Sequence, residues 1–311
     1  MSQMTNVQVV DQVLTQVARG YKNQEYVGMA LFPVANVGLR GGRIIEFGKE
    51  SFRLYETARA PGSRVAIAQF GYTGKPYALT DHSISGLVPV EHLQDASQSP
   101  GIDLASGAVL FARDIILKRL EVDQATIART PAQYANSNKV TLSGTSQWSD
   151  YSGTSDPIRD IDDYKDSVRS TCGMMPNTIL LSAQVMKRVK NHPKVLERIK
   201  YTGRDSATPE ILSALLGIDN VVVGNSIWQD ANGNMQDIWG KDVVLAYTNT
   251  APIANLGAPS YGYTYRLNNY PISEQGYYDG DLRSWKYPTS DSVAPVMVGA
   301  DAGFLITNAV A

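Results

Sequence analysis

Residues 54–64 read Leu-Tyr-Glu-Thr-Ala-Arg-Ala-Pro-Gly-Ser-Arg, the middle of a stretch, 34–93, whose reading decides the fold. Around it, short alternating runs such as Ile45-x-Phe47 and Val65-x-Ile67 lie among many glycines. Alternation at period two is the signal of a strand, and Pro61-Gly62 marks a turn. No helical pattern crosses the stretch, and its apolar bulk is too sparse for a core of its own. A long two-stranded arm is therefore expected. An isolated hairpin is only marginally stable in water. Such an arm needs another surface to lie on, and a neighbouring copy of the same chain is the simplest source. That points to assembly rather than chemistry.

Composition supports a multi-lobed globular chain. At 311 residues and 43% hydrophobic content there is enough material for two domains with real cores. Charged residues make up 19%, below the usual share, which leaves surface to be hidden against partners. The net charge of −2 argues against a dedicated nucleic-acid binder. Residues 1–20 show neither a basic n-region nor a continuous apolar run, and no stretch reaches the roughly 20 apolar residues of a membrane span. The single cysteine, Cys172, allows no intrachain disulfide and fits a reducing cytosol.

Along the chain, Val7, Val10, Leu14 and Val17 pattern a short amphipathic helix over 5–19. The arm ends at Leu87-Val88-Pro89-Val90. Ser99-Pro100 then reads as N-cap and first helical residue of the clearest helix, with Ala105, Ala108, Val109, Ala112, Ile116 and Leu120 down one face. It fades near Arg129, so about 28 residues would span about 42 Å. A polar strand region, 139–150, carries Trp148 as an anchor. Asp156-Pro157 starts a second helix by the same cap logic. The stretch Asn177 to Leu181 reads as a buried strand, and Ser182 caps a helix interrupted at Pro193. Thr208-Pro209 caps another that stops at Gly217, and Val221-Val222-Val223 is a further buried strand. Asp230-Ala231-Asn232-Gly233-Asn234 is a hairpin turn, and Val243 to Tyr247 adds a strand. The tail from Tyr261 is tyrosine-rich and strand-like.

A search for catalytic chemistry finds no coherent site. His82, His92 and His192 are the only histidines, none at His-Glu-x-x-His spacing, so surface or strand-face roles are expected. Gly71-Tyr72-Thr73-Gly74-Lys75 hints at a phosphate loop, but Pro76 follows where serine or threonine belongs, and a turn in the arm is the better reading. The run from Asp230 to Lys241 begins like a calcium loop, yet Met235 replaces the required glycine and Lys241 the bidentate glutamate. Cys172 reads as a small buried residue rather than a nucleophile. The cluster Asp160, Asp162, Asp163 and Asp166 suits a solvated or partner-facing surface better than acid–base work. No catalytic, cofactor-binding or metal-ligating residue is assigned, and no cofactor is expected.

The order of these elements resembles the major capsid protein of tailed bacteriophages. The local text agrees: Ser143-Gly144 with Trp148, Asp156-Pro157, and Met175-Pro176-Asn177-Thr178-Ile179-Leu180. So do Val189-Lys190-Asn191-His192-Pro193-Lys194-Val195, Leu215-Leu216-Gly217-Ile218 and the closing Ala302-Gly303-Phe304-Leu305-Ile306. The resemblance covers nearly the whole chain, and the ordered set rather than any one motif carries it. It implies an α+β fold: an N-terminal arm (1–33), an extended β-hairpin loop (34–98), and a long spine helix with the first part of a peripheral domain (99–171). An α/β axial domain (172–250) and return strands to the peripheral domain (251–311) complete it. The implied function is a head protein that forms pentamers and hexamers closing an icosahedral shell around packaged double-stranded DNA. It would work in the virion capsid after assembly in the host cytoplasm, with a portal and a decoration protein as partners and no membrane. Only about 30 residues precede the arm, so a separate scaffolding protein is expected in place of a fused, cleaved segment. An encapsulin-type nanocompartment shell would share the fold. A cytosolic α/β hydrolase or transferase, with an unrecognised carboxylate site and the arm as a lid, is the reading from another class.

Charge suggests the intersubunit contact. Residues 40–64 carry six basic against three acidic groups, an excess of +3, and residues 145–166 carry six aspartates against two cations, a net −4. Opposite excesses on an arm and a lobe set register and association rate more than affinity. Arg53, Arg59 and Arg64 on the arm, with Asp160, Asp162 and Asp163 on the lobe, are the candidate pairs. A shell that holds and releases DNA is served poorly by strong phosphate binding. The free subunit is accordingly expected to show no double-stranded DNA binding at physiological salt in an equilibrium titration; micromolar affinity with a steep salt dependence would contradict this.

Overall fold

Asp11 opens the first helix, α1 (Gln12–Gly20), its carboxylate accepting hydrogen bonds from the backbone N–H groups of Val13 and Leu14. The structure, a computed structural model, describes residues 10–21, 25–47, 57–59, 65, 72–97, 103–152, 154–200, 207–250 and 260–311. A one-turn helix, α2 (Gly28–Leu31), precedes four strands: β1 (Val34–Val37), β2 (Gly41–Phe47), β3 (Tyr72–Ala78) and β4 (Thr80–Pro89). Helices α3 (Val90–Ser97) and α4 (Leu104–Ala128) follow, then β5 (Lys139–Thr141) and α5 (Pro157–Cys172). Next come β6 (Thr178–Ser182), α6 (Ala183–Lys190), α7 (Pro193–Ile199), α8 (Pro209–Leu216) and β7 (Asn220–Gly224). The remainder is strand: β8 (Ile227–Gln229), β9 (Met235–Asp237), β10 (Val243–Ala246), β11 (Gly262–Leu267), β12 (Ile272–Ser273), β13 (Tyr277–Asp279), β14 (Ser284–Met297) and β15 (Gly303–Thr307).

Two larger sheets organise the body. A five-stranded sheet has the order β5-β15-β10-β6-β7, with parallel pairs at its two margins and antiparallel pairs at its centre. Because side chains alternate along a strand, neighbouring residues serve opposite cores. Ile179 and Leu181 of β6 pack with α5, α6, α7 and α8, while Leu180 between them packs with Phe32, Ala128 and Trp239 on the other side. A strand buried on both faces reads as a continuous apolar run, which is how the sequence presents it. The α/β lobe is not closed by residues 172–250 alone. It takes β5 from upstream and β15 from the last ten residues, so the expected return of all C-terminal strands to a separate peripheral unit does not describe β15.

The second sheet is six-stranded and built on β14, which pairs with β4 on one side and with β11, β12 and β13 on the other, while β1 runs parallel to β11. Here the arm expectation is corrected. All ten residues of β4 pair with β14, and β1 is also a sheet strand, so both roots of the stretch 34–93 belong to the body. Among the described residues of that stretch, β2 and β3 alone form a two-stranded ribbon. The turn at Pro61-Gly62 lies outside the described residues. Tyr72 to Lys75, read as a turn, lie in β3 instead, because their backbone pairs in register with Ile44 to Phe47.

Helix α4 bridges the two sheets, packing on β4 and β14 and, through Ala125 and Ala128, on the core of the five-stranded sheet. Its N-cap is Asp103, accepting from Ala105 N and Ser106 N, and not Ser99, which lies outside the described residues. At 25 residues it spans about 38 Å rather than about 42 Å. The caps at Asp156 and Ser182 and the left-handed stop at Gly217 (φ 60°) are where the sequence places them. Thr208 begins α8 without a side-chain cap. Helix α3 was not foreseen: eight residues are too few to show a period.

Strand β4 crosses α4 so closely that Gly86 has no room for a side chain. A Cβ there would lie 2.7 Å from Ala108 Cβ and closer still to the Ala108 carbonyl oxygen, which is backbone and cannot step aside. Gly86→Ala is expected to destabilise the fold by about 1–3 kcal/mol, read as a lower midpoint in chemical denaturation. An unchanged midpoint would show that the strand and helix separate freely.

Candidate assembly surfaces

The ribbon is anchored at its base. Arg40, just before β2, forms an ion pair with Asp81 at the start of β4, and its guanidinium lies over the Tyr270 ring at 6.0 Å. Leu79 N donates to Arg40 O at 2.8 Å. Tyr77 of β3 stacks on Tyr265 of β11, ring centroids 4.7 Å apart and nearly parallel. The Arg40 hydrogen bond holds the Asp81 carboxyl below its ordinary range. Beyond this base, β2 and β3 pair only with each other among the described residues, leaving the outer backbone edge of each without a strand partner. An unpaired strand edge is a template for another strand.

Of the arginines singled out from the sequence, Arg59 is exposed, while Arg53 and Arg64 lie outside the described residues. The aspartates occupy α5, and the structure gives them unequal roles. Asp160 is half-buried and accepts a hydrogen bond from Trp148 Nε1 at 3.0 Å; burial pushes its carboxyl up. Asp162 is exposed and pairs with Lys165 at 3.0 Å, and that buried lysine also donates to the Leu216 carbonyl. Asp163 is exposed, and Asp166 pairs with Arg169 at 3.2 Å. The described residues bring none of the candidate arginines to these aspartates within one chain.

The histidine expectation needs correction at one position. His92 is exposed on α3 and His82 half-buried on β4, but His192 is buried and caps α7. Its Nδ1 accepts from Lys194 N at 3.2 Å, and Nε2 lies 2.9 Å from Ser155 Oγ, whose hydroxyl donates to Asp150 O. With Nδ1 accepting, the proton sits on Nε2 and the ring is neutral. Burial pushes its pKa down, against the pull of Asp156. The signal was His192-Pro193, since a polar residue before a proline at the first helical position is a cap pattern.

Two other features were missed. Glu121 is buried on α4 and accepts from Val27 N at 3.0 Å, Gly28 N at 2.8 Å and Trp239 Nε1 at 2.7 Å. Arg129, at the end of α4, pairs with Asp242 at 2.6 Å and donates to the Ile238 carbonyl. Asp230, read as a turn residue, accepts from Asn232 N and Asn234 N at 2.9 Å and closes the β8–β9 hairpin. The strands of that hairpin expose Ile227, Trp228 and Met235, below the polar turn. Cys172 is buried, and burial raises its thiol. Among the described residues no group of three or more His, Cys, Asp or Glu side chains could hold a metal ion, and no helix is long and apolar enough to cross a membrane.

Residues 133–262 match the family model of phage major capsid protein E. The major capsid protein of Burkholderia phage BcepMu is 36% identical, and the alignment covers 99% of each chain. The chain belongs to the phage major capsid proteins. The crystal structure of a phage-related protein from Bordetella bronchiseptica RB50 is similar at 40% identity over 98% of both chains, with a TM-score of 0.83. An encapsulin complex from Synechococcus elongatus superimposes over 96% of this chain and 95% of its own at 12% identity and a TM-score of 0.52, a likeness of fold alone. This capsid protein therefore has the mixed helix-and-sheet fold of phage and encapsulin shells, and it is a structural protein whose functional parts are its surfaces.

The neutral His192 cap makes the lobe acid-sensitive. Its folded pKa lies below the unfolded value of about 6.5, so its contribution is full above that pH and is lost as pH falls through the folded pKa. Lowering the pH through about 6.5 should therefore reduce stability beyond the background, as read by denaturant melts. His192→Asn keeps a capping oxygen that does not titrate and should remove that increment. An identical pH slope in the variant would assign the acid sensitivity elsewhere.

Proposed function

We propose that this capsid protein assembles into pentamers and hexamers that close an icosahedral shell around packaged double-stranded DNA. The β2–β3 ribbon carries this reading: two strands whose outer edges have no strand partner among the described residues, anchored at the base, suit contact with another subunit. A neighbouring copy offers each ribbon an identical surface, and repetition turns contacts of modest strength into a closed shell. Full-length similarity to the capsid protein of BcepMu, at 36% identity, supports a virion over an encapsulin-type compartment, with which the likeness is one of fold. A separate scaffolding protein, a portal and a decoration protein are the partners this reading implies. Assembly would take place in the host cytoplasm, and DNA would be enclosed rather than gripped.

Within this reading, the arm arginines Arg53, Arg59 and Arg64 face the α5 aspartates of a neighbour. Each exposed pair contributes only about 0–1 kcal/mol, so the lattice and not the single contact supplies the strength. Asp162 and Asp163 are both exposed, but Asp162 already pairs with the buried Lys165, which leaves Asp163 as the partner to test. Asp160 also serves Trp148, and changing it would disturb the lobe itself.

Electron microscopy of the full-length chain, co-expressed with the capsid genes of its phage, tests both statements. Closed, DNA-filled shells with five- and six-fold capsomers are expected. Soluble monomers alone, or shells carrying protein cargo without DNA, would overturn the virion reading. The triple variant Arg53→Glu, Arg59→Glu and Arg64→Glu should remain folded yet yield no shells, and Asp163→Lys should restore them at least in part. Normal particles from the triple variant would show that the arm does not act through charge.

A further inference from the structure

Beneath α4, where it crosses the six-stranded sheet, three charged side chains meet in the interior. Arg113 of α4 reaches Asp291 Oδ2 of β14 at 2.7 Å, and Arg266 of β11 approaches the same oxygen at 3.2 Å. The side chains of Arg113 and Asp291 are 4% and 0% exposed, and that of Arg266 is 12% exposed. One carboxylate thus sits between two guanidinium groups, and the cluster carries a net charge of +1. Of the other charges on these elements, Asp114 pairs with Lys118 and Arg119 with Asp123 along α4, Asp81 of β4 pairs with Arg40, and Glu121, about two turns further along α4, is bonded by the N–H groups of Val27, Gly28 and Trp239. The excess is not neutralised from there.

The hydrogen bonds tell the same story. Arg113 Nε, Arg266 Nε and Nη2 and Thr289 Oγ1 find no hydrogen-bond partner among the described residues, and neither does Asp291 Oδ1. Thr289 lies two residues before Asp291 on β14, so both face α4. Four unused donors from three elements therefore gather at a junction whose single carboxylate is already ion-paired with both arginines. Buried polar atoms in folded proteins are almost always satisfied, by protein, water or a bound ion. Burial pushes the Arg266 guanidinium down and Asp291 only partly restores it, as expected for a cation with half a partner. Water could supply the missing hydrogen bonds but would leave the charge uncompensated, and an unpaired buried charge is the costlier defect.

We propose that this junction binds a small monovalent anion, chloride in size, held by the Arg113 and Arg266 guanidinium groups and the Thr289 hydroxyl. One ordered water then donates to Asp291 Oδ1. The partly exposed Arg266 side chain marks the way in. The ion fastens α4 to β11 and β14, and β14 is also the strand on which β4, the root of the ribbon, is built. The site thus lies inside one subunit and is independent of how subunits assemble.

Crystals of the full-length chain grown with sodium bromide in place of sodium chloride test the proposal directly. An anomalous peak in contact with both guanidinium groups is expected. Density there with no anomalous signal, meaning water alone, would overturn the proposal. In thermal melts at equal ionic strength, sodium chloride should raise the midpoint over sodium gluconate by about 3 °C at a tenfold excess over the binding constant. Equal midpoints in the two salts would also overturn it. Thr289→Val removes one donor without touching the charges, and should shift the halide half-point several-fold upward. Arg266→Met removes the excess charge and should abolish the halide effect; an undiminished effect in both variants would place the ion elsewhere. The wild-type crystal gives the answer even where a variant does not fold.

Discussion

The Glu121 carboxylate holds three parts of the chain together. It lies on α4, and it receives the backbone N–H groups of Val27 and Gly28 from the N-terminal segment and the indole N–H of Trp239 from the α/β lobe. Burial raises its pKa, and the three donors oppose that shift. Three short hydrogen bonds give a buried anion most of what water would have given it. The close approach depends on Gly28, where a Cβ would lie 2.8 Å from a Glu121 oxygen. Removing the carboxylate would strand two buried donors and a half-buried one, so α2, α4 and the loop after β9 depend on one another.

Around that point the body is built from chain segments far apart in sequence. Strand β15 lies between β5 and β10, and β14 gathers strands from 34 to 297 into one sheet. Helix α4 is the long element pressed against both sheets, with the one-turn α2 beside it. Its polar residues on the buried side, Arg113, Glu121 and Gln124, each find an interior partner: Asp291, Trp239 and Thr264 respectively. Such partners fix how the helix sits more narrowly than apolar packing does, because a donor and an acceptor must align. A rigid body of this kind suits a capsid protein, whose copies must present the same contact geometry many times.

The division between body and ribbon follows from the same physics. Arg40, Tyr77 and Leu79 tie the base of the ribbon to strands β4 and β11, so the direction of the ribbon is set by the sheet beneath it. Past that base, β2 and β3 have only each other among the described residues. The α5 aspartates show the opposite case. They read as one acidic face, yet Asp160 is spent on Trp148 and Asp162 on Lys165, so charge counted along the chain overstates what the surface offers.

What could be read in the sequence was local. Asp156-Pro157, Ser182 and Gly217 mark helix ends because a cap is a matter of two or three adjacent residues, and the apolar runs at 178–182 and 243–246 mark buried strands because burial on both faces leaves no polar position. The ordered set of these signals was enough to place the family. Ser99-Pro100 satisfied the same cap rule as Asp103, and local chemistry had no means to choose between them. That the roots of the arm are strands of the main sheet rests on a pairing between residues 80–89 and 284–293, about two hundred positions apart. Buried polar residues were the least legible: Glu121, Arg113 and His192 each look like surface residues until the partner is known. Tertiary structure alone decides these, because a charge or an imidazole is stable in the interior only where distant segments converge to bond it.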